Sequence, residues 1–178
     1  MVFWVIGCAA LALALYSGVG FNELIVARNQ VRAAWADIDV QLQRRHDLVP
    51  QLVAAVKGYA DHEHDTLAAI TQLRTQAQAS ASVAQRGAVE ADLAGRVTQV
   101  LALQERYPEL KASTNFLQLQ RDLVNVEDHL QFARRFYNGA VRQYNTRIQR
   151  FPDLLLARLF AFRAADYFQA EDRDAVKL

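Results

Sequence analysis

FLQLQRDLVNVEDHLQFARRFYNGAVRQYNTRIQRF, residues 116–151, is the stretch on which the fold turns. Within it Phe116, Leu119, Leu123, Val126, Leu130, Ala133, Tyr137, Ala140 and Tyr144 recur in alternating steps of three and four, which lines them along one side of an α-helix as a coiled-coil seam. Ser113 or Thr114 can cap the start by accepting an early backbone N–H bond, and Pro152, which has no N–H to give, stops the helix after Phe151. The spacing predicts one helix of about forty residues, on the order of 55 Å long at the usual rise per residue. A helix of this amphipathicity is not stable alone in water, so other long helices must cover its seam.

Residues 22 to about 57 supply the first partner, with Leu24, Ala27, Val31, Ala34, Ile38, Leu42, Val49, Leu52 and Val56 along one side and Trp35 widening the stripe. Pro50 interrupts this run, and with Asp47 available as a cap a kink or break is expected between Arg45 and Val49. Two shorter helices are expected between the long ones. One covers roughly 61–78, around Leu67, Ile70 and Leu73; the other covers 88–106, around Leu93, Val97, Val100, Leu101 and Leu103. The stretch AQASASVAQRG, 77–87, and a YPEL turn at Pro108 separate the pieces. Four helices with short connections pack antiparallel, up and down, at shallow crossing angles of ~20°. The expected fold class is therefore all-α: an N-terminal transmembrane helix, then an antiparallel up-and-down four-helix bundle with long first and last helices.

The composition agrees with that class. Of 178 residues 52% are hydrophobic, enough for a core, and only seven are Gly and three Pro, so helices run with few interruptions. Twenty basic residues balance nineteen acidic ones for a net charge of +1, which marks no phosphate-backbone binder, so no nucleic-acid partner is expected. The single Cys8 can form neither an internal disulfide nor a multi-cysteine metal site.

Three segments follow: 1–21 as anchor, 22–151 as bundle, and 152–178 as an apolar and aromatic end. VFWVIGCAALALALYSGVGF, residues 2–21, contains no charged side chain and can cross a hydrocarbon core of about 30 Å as a helix. It reads as a single span integral to the membrane; a cleaved signal is the weaker reading, since no Lys or Arg precedes the apolar run, and Cys8 comes too early for a lipoprotein signal. Gly7, Ala10, Ala14 and Gly18 share a helical face, which is read as ordinary lipid-facing helix before a helix-dimerisation stripe. Arg28, Arg32, Arg44 and Arg45 follow the span and none precedes it, so the bundle is expected in the cytoplasm, at a bacterial inner membrane. The up-and-down topology returns FPDLLLARLFAFRAADYF, 151–168, to the bilayer side, either as an interfacial helix or as a cap over the bundle's end.

A search for chemistry assigns no catalytic, cofactor-binding or metal-ligating residue, and no cofactor. In His62-Glu63-His64-Asp65 the histidines stand two apart and point to opposite sides of a helix, the wrong spacing for one ion, so a solvated helix start is the plain account. His46 and His129 stand apart from any nucleophile, and phosphate-binding Gly-rich loops are absent. One polar group is unusual: Arg44-Arg45 with Asp47 in the first helix, set against Asp122, Glu127 and Asp128 in the last. Arg45 falls on the extrapolated seam, and a charge there needs a partner; an Arg to carboxylate pair fixes helix register and is read as structural.

Two blocks carry a resemblance. FNELIVARNQVRAAWADIDVQLQRRHDLVPQLVAAVKGYADHE and ARRFYNGAVRQYNTRIQRFPDLL resemble the signature blocks of the LemA family, including Trp35, Pro50, Tyr137, Asn138, Tyr144, Asn145 and Pro152. The resemblance implies an N-terminally anchored helical bundle without an assigned biochemical activity; some similar proteins belong to specialised bacterial membranes such as magnetosomes. The expected function is a non-enzymatic, membrane-anchored scaffold or adaptor that holds an unknown protein partner, or copies of itself as a homo-oligomer, at the bilayer. A membrane-organising or remodelling protein is the alternative, and a hydrolase using the histidines and carboxylates is the distant one. Fold alone does not choose between them.

Overall fold

A computed structural model describes residues 1–168, apart from the side chains at 9, 10, 12–15 and 61; residues 169–178 lie outside the description. The described backbone is helical, with no strand among those residues. The helices are α1, Val2–Lys57; α2, His64–Ala79; α3, Val83–Ala102; α4, Pro108–Ala112; α5, Thr114–Gln149; and α6, Asp153–Leu159. Short 3-10 turns at Asp61–Glu63 and Leu103–Glu105 lead into α2 and out of α3. The described chain divides into two compact units, residues 1–36 with 135–166 and residues 37–134 with 167–168.

In the second unit, residues 37–57 of α1, α2, α3 and the first part of α5 close around one core. Val49, Leu52, Leu67, Ile70, Leu93, Val97, Val100, Leu110, Phe116 and Leu123 are buried in it. Each such side chain stabilises the fold by about 1.5–3 kcal/mol relative to exposure, and the 3.5-residue spacing explains why one face of every helix contributes. The α5 seam is laid out as its spacing requires: Phe116, Leu119, Leu123, Val126, Leu130, Tyr137, Ala140 and Tyr144 are buried, and Ala133 is half-buried. The Ser113 hydroxyl accepts from the Phe116 N–H at 3.4 Å, the expected cap.

Several boundaries differ from the sequence reading. The stretch 77–87 is mostly helix: α2 runs to Ala79 and α3 starts at Val83, where the Ser82 hydroxyl accepts from the Gln85 N–H at 3.2 Å, so only 80–82 connect them. Pro108 opens the short α4 as its first residue, where a missing N–H costs nothing. Of the kink or break expected between Arg45 and Val49, the break is absent: α1 continues through Pro50 to Lys57. Proline at that position deprives the His46 carbonyl of its helical donor. The Arg74 guanidinium, from α2, donates to that oxygen at 2.7 Å through Nε, so tertiary structure supplies the bond the helix lost.

In the first unit, α1 up to Ala36 packs with the last part of α5 and with α6. Leu24, Val31, Ala34, Tyr137, Val141, Tyr144, Ile148 and Ala157 are buried there. Among the described residues no helix is long and apolar enough to cross a membrane. The middle of the expected span, at 9, 10 and 12–15, lies outside the side chains described, and with it Ala10 and Ala14 of the small-residue stripe. The flanking Phe3, Trp4, Val5, Ile6, Leu11 and Val19 are exposed apolar side chains on α1.

Candidate functional site

Two constructions stand out, one in each unit. The second unit holds charge in its interior. Arg45 and His46 are neighbours on the buried face of α1, and Glu90 lies on the buried face of α3 in the row Gly87, Glu90, Leu93, Val97, Val100. Glu90 and His46 are 0% exposed and Arg45 is 3% exposed, so these groups have surrendered their hydration and depend on one another. Arg45 Nη1 donates to Glu90 Oε2 at 3.1 Å and to the Glu90 carbonyl at 3.3 Å, while its Nη2 donates to Glu127 on α5. The remaining Glu90 oxygen, Oε1, accepts from His46 Nε2 at 2.6 Å; a carboxylate only accepts, which assigns the imidazole proton to Nε2. Arg134 Nη1 stands 3.9 Å from the other Glu127 oxygen, and its guanidinium lies 5.2 Å from the centroid of the buried Phe168 ring. Burial pushes the Arg134 pKa below the usual arginine value, Glu127 pulls it back up and Arg45 pushes it down.

The arrangement is a clamp across three helices. Glu90 is satisfied at both oxygens, Arg45 spans Glu90 and Glu127, and Arg74 closes the backbone beneath His46. Charge pairing of this kind between helices can fix their register. The sequence reading located Arg45 and Glu127. The other expected members do not join: Arg44, Asp47 and Asp128 are exposed, Asp47 accepts from Gln43 at 2.9 Å, and Asp122 accepts from Gln118 at 3.0 Å. His46, taken as isolated, and Glu90, not singled out, are the members that sequence reasoning missed. A glutamate midway along an apolar row was the available signal for Glu90.

In the first unit the segment that follows α6 is strapped down. Past α6, residues 162–166 are extended, and Asn145 holds Ala165 with both ends of its amide: Nδ2 donates to the Ala165 carbonyl at 2.9 Å, and Oδ1 accepts from the Ala165 N–H at 2.9 Å. Tyr144 donates to the Arg163 carbonyl at 2.9 Å and Tyr137 to the Asp166 carbonyl at 2.8 Å. Burial raises both phenol pKa values above the usual tyrosine range; Asp166 adds to this at Tyr137, while Arg28 and Arg32 oppose it at Tyr144. Trp35 meets the Tyr137 ring edge-on at 5.4 Å. Phe21 meets Phe160 at a tilt and Phe162 edge-on, with ring centroids at 4.6 and 5.9 Å, and Arg28 lies 5.2 Å from the Phe162 centroid.

The approach of α6 to α1 is close at Gly20, where a Cβ would stand 3.0 Å from Leu156 Cδ1 and 3.3 Å from Asp153 Oδ1. Tyr16 donates to Asp153 at 3.4 Å, and Arg147 ties Asp153 (3.1 Å) to Glu23. Docked this way, α6 turns Leu155 and Leu159 outward, with Phe151 and Phe160 at its ends; all four are exposed.

His62 and His64 are exposed, and Glu63 pairs with Arg106 at 2.6 Å. Among the described residues no three His, Cys, Asp or Glu side chains are placed to hold a metal ion. His129 is exposed on α5, with its Nδ1 2.7 Å from the Asn125 carbonyl.

The chain is similar to Magnetosome protein MamQ 2 of Paramagnetospirillum magneticum, at 24% identity over 84% of this chain and 64% of the relative. It is similar to Magnetosome protein MamQ of Magnetospirillum gryphiswaldense, at 23% identity over 83% of this chain and 64% of the relative. Protein LemA of Metamycoplasma hominis is 28% identical over 87% of this chain and 71% of its own length. The chain thus spans 64% of the length of the magnetosome relatives it matches. Since the model described as the LemA family matches residues 34–178, which contain both the buried charge clamp and the residues that strap the segment after α6, the chain belongs to the LemA family.

Proposed function

We propose that this chain is a non-enzymatic scaffold or adaptor held at a bacterial inner membrane by one span, residues 2–21, with its helical bundle in the cytoplasm. The observation that carries the reading is the placement of α6. It docks on α1 beside Gly20, where the uncharged run ends, and turns Phe151, Leu155, Leu159 and Phe160 outward. An exposed apolar surface there is matched by an interfacial position, with the greasy side in the headgroup boundary. The uncharged sequence of 2–21 supports the span, and the arginines that follow it support the orientation. The names of the magnetosome relatives accord with a membrane setting. The partner held there is a protein or a second copy of the chain, because the interior charges serve helix register and not turnover.

The test is fractionation of cells expressing the full chain or the chain lacking residues 2–21. The full chain is expected to stay with the membrane through an alkaline wash, and the shortened chain to leave it while keeping its helical circular dichroism. Retention of a folded shortened chain in the washed membrane would contradict the anchor. Protease added to spheroplasts should spare the bundle; its digestion would reverse the orientation. The exposed α6 surface also suits a remodelling protein, and deformation of vesicles by the purified chain would favour that reading over a passive adaptor.

A further inference from the structure

A cavity of about 580 Å³ opens in the first unit where α6 meets α1 and α5. Arg142, Arg147 and Arg150 line it together with the Tyr16 and Thr146 hydroxyls, and Val19 and Pro152 give it an apolar side. Arg147 is committed to Glu23 and Asp153, which also line the cavity. Arg142 and Arg150 are exposed and have no ion-pair partner among the described residues. Three guanidinium groups against two carboxylates leave the lining net positive. Arg142 on α5 and Arg150, the residue just past its end, stand eight residues apart, about 12 Å at the helical rise, and so bracket the opening with flexible, strongly donating ends.

From this geometry we propose that the cavity binds the phosphate of an anionic phospholipid headgroup. A guanidinium fork matches a phosphate, the Thr146 hydroxyl supplies a further donor, and the net charge disfavours a cation. Phe151, next in sequence to the lining residue Pro152, and Leu155 on α6 are exposed and would lie along the glycerol and first acyl carbons. A soluble phosphate would use the arginines and leave that apolar side idle. The inference rests on reading residues 2–21 as a membrane span, since only then does Tyr16 stand at headgroup depth.

The full chain in detergent micelles, titrated with phosphatidylglycerol or with phosphatidylcholine and followed by native mass spectrometry, tests it. At about tenfold or less for each arginine near a charged headgroup, the phosphatidylglycerol preference is expected to be roughly thirtyfold. Arg142→Gln with Arg150→Gln should bring it to within about threefold, while inorganic phosphate should not displace the lipid. Equal binding of the two lipids by the unaltered chain would overturn the proposal. So would displacement by inorganic phosphate, which identifies a free-phosphate site, and so would a preference unchanged in the double variant. The alkaline wash separates the failures: a chain that leaves the membrane refutes the span itself, whereas one that stays but shows no lipid preference refutes only the headgroup site. The double variant should stay with the membrane in that wash and keep the unaltered melting temperature, which shows that lost lipid preference is not lost structure.

Discussion

Replacing Glu90 with Leu is expected to lower the unfolding free energy of the chain by about 3–5 kcal/mol, the usual penalty when one member of a buried ion pair is removed. The reason is not the strength of the pair. Glu90 is the sole described acceptor for His46 Nε2 and one of two carboxylates on Arg45, and all three side chains are out of water. Without the Glu90 carboxylate the guanidinium keeps the main-chain carbonyl at position 90 and one carboxylate, Glu127, which is 34% exposed, and the imidazole N–H keeps nothing. Removing every member of the interior group should behave oppositely. Arg45→Met, His46→Leu and Glu90→Leu together put apolar volume where charge stood, and the combined variant should be as stable as the unaltered chain or more so. Urea unfolding in micelles, followed by circular dichroism, measures both. A single variant that loses less than about 1 kcal/mol, or a combined variant worse than the single one, would show that the group is not a desolvated, mutually dependent unit.

The second large effect belongs to Asn145. Its amide makes both bonds to Ala165, so Asn145→Ala strips a donor and an acceptor from the same extended residue. Each unmatched backbone group costs about 1–3 kcal/mol to the extent that it stays buried, and segment 162–166 escapes that cost by opening to water. Amide hydrogen exchange at Ala165 should accelerate by on the order of thirtyfold in the variant, with protection in the α3 core unchanged. Tyr144→Phe, which removes one bond to Arg163, should give a smaller acceleration in the same segment. Unchanged exchange at Ala165 would mean that Asn145 does not hold the strap.

These two sites show how far sequence reaches. The α5 seam could be read because a 3.5-residue repeat sustained from Phe116 to Tyr144 has one physical solution. Arg45 could be read because a charge on such a seam is an anomaly that demands a partner. Glu90 offered the same anomaly on α3, but the apolar row was begun at Leu93, one step after it. His46 gave no signal, since one residue beside Arg45 falls on the buried face only when that face is wider than a seam. Pro50 left a break open for a specific reason: proline predicts a lost bond, and only the tertiary approach of Arg74 to the His46 carbonyl shows how the helix continues past it. The strap was out of reach, because Asn145 and the two tyrosines bind backbone atoms of 163–166, and backbone partners leave no trace in side-chain spacing.

The resemblance named the same residues without their reason. Trp35, Tyr137, Tyr144 and Asn145, from the two signature blocks, form one arrangement: the asparagine and the tyrosines bind the strap, and the tryptophan backs Tyr137. These four signature residues hold the fold together. Function then has to be sought at the surfaces the fold presents, which is where the exposed side of α6 and the arginine-lined cavity lie.

Cys8, the chain's only cysteine, lies on α1 within the uncharged run and reports most directly on whether that run is embedded in lipid. A charged, membrane-impermeant maleimide applied to the full chain in sealed vesicles, from either side, should leave Cys8 unmodified, and detergent should make it react at once. Prompt modification of Cys8 in intact vesicles would contradict the span and everything placed at its border.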